Sequence, residues 1–132
     1  MKRWILLLLV VCAALAVVAQ TTPYVPDPKW TPPPVAAAKA NPLDGNSDAA
    51  AGGRKLFQRH CAECHGSEAL GGKKKSAPNL TTDVVQRQSD GTLFWKISNG
   101  RADGDMPAFS RLPELQRWQL VLYLRTRAKP SD

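Results

Sequence analysis

The order of hydrophobic and polar positions divides the chain into an apolar leader, a broken stretch and a set of amphipathic segments. Trp4–Val18 carries no charge and follows Lys2 and Arg3. Two cations, an apolar run and Val17-Val18-Ala19 at its end form the pattern of a secretory signal peptide over residues 1–19, with cleavage after Ala19. The run is shorter than the roughly 20 residues of a spanning helix, which favours cleavage over a retained membrane anchor. Cys12 follows Val11, a residue of the wrong size for lipid processing, and reads as an ordinary leader residue.

Residues 20–45 break every periodicity. Seven of the 11 prolines lie between Pro23 and Pro42. That density excludes a helix or central strand and favours extended, polyproline-like backbone, so the stretch is expected to be a semi-rigid tether or a disordered spacer. Its isolated Tyr24 and Trp30 are candidates for packing on the surface of the folded domain.

Residues 46–132 hold the helical signals. Gly53, Leu56, Phe57, His60 and Cys61 recur at the spacing of one helix face, and Ser47 or Asp48 is placed to cap a helix ending near His60. Gly66–Asn79 reads as loop, and Thr81–Gln88 predicts a helical turn. Ser89 or Asp90 caps a second helix through Leu93, Phe94, Trp95 and Ile97, stopped at Asn99-Gly100. After a loop from Arg101 to Leu112, Pro113 and Glu114 suit the first turn of a last helix reaching about Arg127. Trp118–Leu124 is apolar nearly all round, which predicts a central helix. No alternating strand and no internal repeat is present in the pattern, so the fold class is all-α.

Composition sharpens this. The 132 residues allow one domain, and the roughly 85 after the linker are too few for a stable core without added support. Large α/β folds are excluded on size. Lys and Arg number 18 against 11 acidic residues, a net charge of +7, and loss of Lys2 and Arg3 with the leader still leaves a basic chain. Such an excess steers a protein toward anionic partners. Nucleic acid is disfavoured, because no recognition-helix, zinc-finger or RNP-type pattern occurs.

The chemistry is concentrated in Cys61-Ala62-Glu63-Cys64-His65, the C-x-x-C-H pattern of covalent haem attachment. Residues i and i+3 on one helical turn face the same way, so both thiols can add to the two vinyl groups of one porphyrin. His65, at i+4, reaches the iron from the same side. A thioredoxin-like pair would follow a strand, and here a helix precedes it. A zinc site would have to use the contiguous cluster His60–His65, a poor geometry for four ligands. A disulfide suits an exported protein but leaves His65 unexplained. With Met1 lost in the leader, Met106 is the one thioether left to complete the iron's coordination. It sits in the turn Gly104-Asp105-Met106-Pro107, away from any apolar helix face, which argues against a core-filling role. His60 is the other candidate, and is better explained as a helix-face residue.

In this order, Gly53-x-x-x-Phe57, Cys61–His65, Pro78 after a Gly-rich loop, Met106-Pro107 and a closing helix with Leu120 and Tyr123, the chain resembles a small bacterial class I cytochrome c over about Ser47 to Ala128. The resemblance implies three to five short helices wrapped around one covalent haem c and its iron. It implies axial ligation by His65 and Met106, a Pro78 carbonyl on the outer nitrogen of His65, and close crossing of the first and last helices at Gly53 beside Phe57 and Tyr123. Trp95 is expected to line the haem pocket or to donate to a propionate. With both axial positions filled, the implied function is one-electron transfer in the periplasm between redox protein partners, with Lys73–Lys75 a candidate docking surface for an acidic one. A subunit or module of a larger periplasmic dehydrogenase or respiratory complex is the alternative. A gas sensor or peroxidase would require Met106 to be labile. The resemblance supplies no counterpart for the proline-rich stretch.

Overall fold

The computed structural model describes residues 23–72, 74 and 77–128. The expected signal peptide lies outside the described residues, as do Lys73 and Lys75. The helices, in chain order, are α1 (Pro34–Ala37), α2 (Ser47–His60), α3 (Ala62–His65), α4 (Asp83–Gln86), α5 (Asp90–Asn99) and α6 (Glu114–Arg125). No strand occurs among the described residues.

The α2–α6 crossing organises the molecule. Gly53 sits where the two backbones meet: a Cβ there would lie 1.9 Å from the carbonyl oxygen of Gln119. Only glycine permits that approach. Beside the crossing, the Phe57 and Tyr123 rings lie 5.2 Å apart in a tilted pair. Phe57, Leu120 and Val121 are fully buried, each contributing about 1.5–3 kcal/mol of apolar burial. Trp118, Leu120, Val121, Leu122, Tyr123 and Leu124 are all buried, so α6 is central, as its nearly all-round apolar stretch predicts. α6 ends at Arg125, two residues short of the expected end, where Thr126 takes the C-cap.

Capping explains the other helix ends. The α2 cap is Asn46, one residue earlier than expected, its side-chain oxygen accepting from the Ala49 amide. Ser89 caps α5 by accepting from the Thr92 amide. Both remove an orphan donor from the first turn. Arg125 then ties three elements together, donating to Asp90 Oδ1 and to the carbonyls of Gln86 and Gln88.

The proline-rich stretch departs from its expected extended form. Pro34 begins α1, a short helix whose first residue has no use for an amide hydrogen. Proline density forbids a helix interior but not this start, and Val35-Ala36-Ala37 carries it on. The stretch is docked on the helices. A Cβ at Gly91 of α5 would lie 2.2 Å from the Ala36 carbonyl oxygen. Ser89 Oγ donates to the Ala37 carbonyl, and buried Asn41 donates to the Trp118 carbonyl at 3.1 Å.

Candidate haem site

Cys61 closes α2 and opens the single turn of α3, with the Cys64 and His65 amides both donating to its carbonyl at 3.1 and 2.9 Å. That turn places Cys61, Cys64 and His65 on one cavity of about 460 Å³. The remaining lining is largely apolar, with Leu80, Val85, Leu93, Ile97, Leu120 and Leu124 among its residues. The volume lies in the range of small-molecule and cofactor sites.

His65 is held by its own loop. Its Nδ1 lies 3.1 Å from the Pro78 carbonyl oxygen. A carbonyl only accepts, so this contact puts the proton on Nδ1 and leaves the Nε2 lone pair free. Burial pushes the pKa of His65 down, opposed by the Pro78 hydrogen bond, and both the neutral form and this tautomer suit a metal ligand.

Met106 reaches the same cavity from the loop after α5 and packs against the hydrophobic core. The Arg101 amide donates to the Met106 carbonyl at 2.9 Å, and the Phe109 amide donates to the Ile97 carbonyl at 3.0 Å. These bonds fold the loop back on α5. His60 also lines the cavity, its ring 6.2 Å from that of Phe109 in an edge-on arrangement.

Trp95 does not take the place expected for it. α5 turns Leu93, Lys96 and Ile97 toward the cavity, and the half-buried Trp95 falls on another side of the helix. Aromatic lining comes from Tyr24 and Trp30 of the proline-rich stretch, beside Phe57 and Phe109. Lys96 and Arg101 line the cavity too. Neither was singled out from sequence, although Lys96 shares the i, i+3, i+4 spacing of Leu93 and Ile97.

The residues fit a covalent haem. Both cysteines are free. Burial pushes the Cys61 thiol up to about 12, with Cys64 adding to the effect, so Cys61 is a neutral thiol at pH 7 and a poor thiolate ligand. Among the described residues, no group of three or more His, Cys, Asp or Glu gathers as a metal cluster. The cavity walls carry two thiols, the imidazoles of His60 and His65 and the Met106 thioether; with no three of the described His, Cys, Asp or Glu residues gathered as a metal cluster, the set suits a thioether-linked haem better than zinc.

Residues 48–124 match the protein family described as cytochrome c oxidase, cbb3-type, subunit III. The chain is 48% identical over 61 residues to the cbb3-type cytochrome c oxidase subunit FixP of Bradyrhizobium sp. (strain ORS 278), covering 46% of this chain and 21% of that protein. It is 36% identical over 87 residues to cytochrome c6 of Leptolyngbya boryana, covering 63% of this chain and 96% of that protein. The solved structure of cytochrome CL from Methylophaga aminisulfidivorans has the same fold, with a TM-score of 0.54 at 24% identity over 64% of this chain and 57% of that one. The chain therefore spans about a fifth of the FixP relative and nearly all of the cytochrome c6.

Proposed function

Because the chain belongs to the cbb3-type cytochrome c oxidase subunit III family, a class I cytochrome c with haem c and its iron as cofactor, we propose that it is an exported one-electron carrier working between redox protein partners. Cys61 and Cys64 would hold the haem through two thioether bonds, and His65 Nε2 and Met106 Sδ would bind its iron. The haem supplies a reversible ferric–ferrous couple, whose potential His/Met ligation raises. The chain's own work is to orient, shield and tune. Pro78 keeps the proton on His65 Nδ1 and so aims the opposite nitrogen into the cavity. The apolar side chains on the cavity exclude water, which favours the less charged ferrous state. Met106 in the sixth position would leave no coordination site for a substrate.

The single observation that carries this reading is the convergence of Cys61, Cys64, His65 and Met106 on one apolar cavity, with His65 tied to Pro78. A basic chain suits an acidic docking partner. Lys74 pairs with Glu63 at 3.1 Å on the exposed surface beside α3. Export rests on the leader pattern. Among the described residues, no helix is long and apolar enough to cross a membrane.

The second reading is a cytochrome module of a larger respiratory complex, and the FixP likeness over a fifth of that subunit's length favours it. Purification at native levels separates the two: a module stays with its complex, and a carrier does not. Attachment is tested in a host that matures c-type cytochromes. The wild type should retain haem after denaturation, and the double substitution Cys61→Ala, Cys64→Ala should lose it. Haem that stays covalent in the double variant would overturn the assignment of these thiols.

A further inference from the structure

Segment 23–45 lies outside the residues that match the family, yet it forms one wall of the haem cavity. Trp30 anchors that wall. Its indole N–H donates to the Gly100 carbonyl at 2.7 Å. The Lys96 ammonium lies 4.6 Å from the Trp30 ring centroid, and the Arg101 guanidinium 5.5 Å from it. Asp27 of the same segment pairs with Arg101 at 3.2 Å, and Asp103 takes that guanidinium at 2.7 Å.

The charges on this wall leave Lys96 without an acid. Its side chain is buried, at 8% exposure, and the residue lines the cavity from α5. Lys96 Nζ donates to the neutral Gln88 Oε1 at 2.7 Å, and among the described residues no carboxylate forms an ion pair with it. Arg101, by contrast, already has two acids. A buried ammonium with only an amide oxygen and an aromatic face is costly to keep charged. Burial accordingly pushes the Lys96 pKa down, Arg101 pushes the same way, and Asp27 opposes. An anion on the cavity side would relieve this. Haem c is apolar over most of its surface and carries two carboxylate arms, and this cavity is apolar over most of its lining with a cation at one wall.

We propose that Lys96, positioned by Trp30 of the proline-rich segment, binds a carboxylate arm of the haem, and that segment 23–45 closes this edge of the cavity. The proposal rests on the haem reading above. Tyr24 lines the same wall, its phenol kept protonated by burial with Asp27 adding and Arg101 opposing, and so remains a hydrogen-bond donor.

The consequence is a pH profile. A carboxylate paired with an ammonium stays ionised through the neutral range, and the reduction potential there is level with pH. Without the ammonium the carboxylate pKa rises. The potential then falls as pH climbs through that value, because the newly ionised carboxylate favours ferric iron. The other titratable or charged groups around Lys96 are Asp27 and Tyr24 from the segment and Arg101, Asp103 and Asp105 from the loop after α5; His60 and Lys74 also line the cavity. Lys96→Met leaves all of them in place.

The experiment is potentiometric titration of the haem-loaded wild type, Lys96→Met, Lys96→Arg and Trp30→Ala from about pH 5 to 9, with a pyridine haemochrome spectrum of each to count covalent haem. Haem stays attached in every variant. The wild type and Lys96→Arg give level profiles, Lys96→Met gains a downward slope, and Trp30→Ala gains a weaker one. A Lys96→Met profile that runs parallel to wild type overturns the carboxylate contact, since a lysine acting only as a distant charge gives a uniform offset. If Lys96→Met does not accumulate, Trp30→Ala decides, and a parallel profile there overturns the role of the segment. Absence of covalent haem from the wild type is a separate result, which overturns the haem reading and this proposal with it.

Discussion

His65 shows how little of a site a single residue determines. The side chain supplies two nitrogens, and the loop carbonyl of Pro78 decides which one carries the proton. Met106 is controlled in the same way, through backbone bonds that fold its loop onto α5. Met106→Ala should therefore open a coordination site without loosening the attachment. The expected outcome is covalent haem retained, a lowered potential and a reduced spectrum that shifts with carbon monoxide; an unchanged potential and spectrum would show that Met106 is not the ligand. That these residues meet at one cavity was legible in the sequence because their chemistry is local: Cys61, Cys64 and His65 share one turn, and Met106 is the one thioether after the leader. Trp95 was not legible. Whether it or Lys96 faces the cavity depends on the rotation of α5, set by its packing against α6 and against α1, which lies far away in sequence.

At the scale of elements, two contacts bear most of the arrangement. Gly53→Ala forces a Cβ into the Gln119 backbone and should lower stability by about 1–3 kcal/mol or more, seen as a lower melting temperature of the haem-loaded protein. Gly52→Ala is the control. Its Cβ would meet the end of the Gln119 side chain at 2.9 Å, a group that can swing away, and alanine gains about 1 kcal/mol of helix propensity. Near-neutral behaviour is expected there, and equal losses at both positions would show that the crossing is not the cause. Arg125→Met removes three bonds joining α6 to Asp90 and to the backbone before α5, and should cost about 2 kcal/mol in chemical denaturation. Helices α2, α5 and α6 were readable from their periodicity and caps. α1 was not, because a count of prolines hides the fact that Pro34 stands at a helix start, where proline is tolerated. The docking of its segment rests on bonds across 70 and 77 residues, from Trp30 to Gly100 and from Asn41 to Trp118, which no local pattern encodes.

Across the whole molecule, a small helical shell is completed by its cofactor. About 85 residues give a core of modest size, and the cavity at its centre is lined from the proline-rich segment, all five helices from α2 to α6 and three loops. In the proposed role, such a shell would fix the macrocycle, set its potential and present a surface to redox partners. With the basic excess that remains after loss of Lys2 and Arg3, association with an acidic redox protein should slow as ionic strength rises, in stopped-flow mixing at low and physiological salt. A rate independent of salt would remove electrostatic steering from the account.

The central claim is a covalent haem with both axial positions filled by this chain. The most direct test is the optical spectrum of the exported wild type, oxidised and reduced, before and after carbon monoxide. Sharp c-type bands on reduction that the gas does not move are the expected result. A reduced spectrum that shifts with the gas would contradict it, placing an accessible iron where Met106 is assigned.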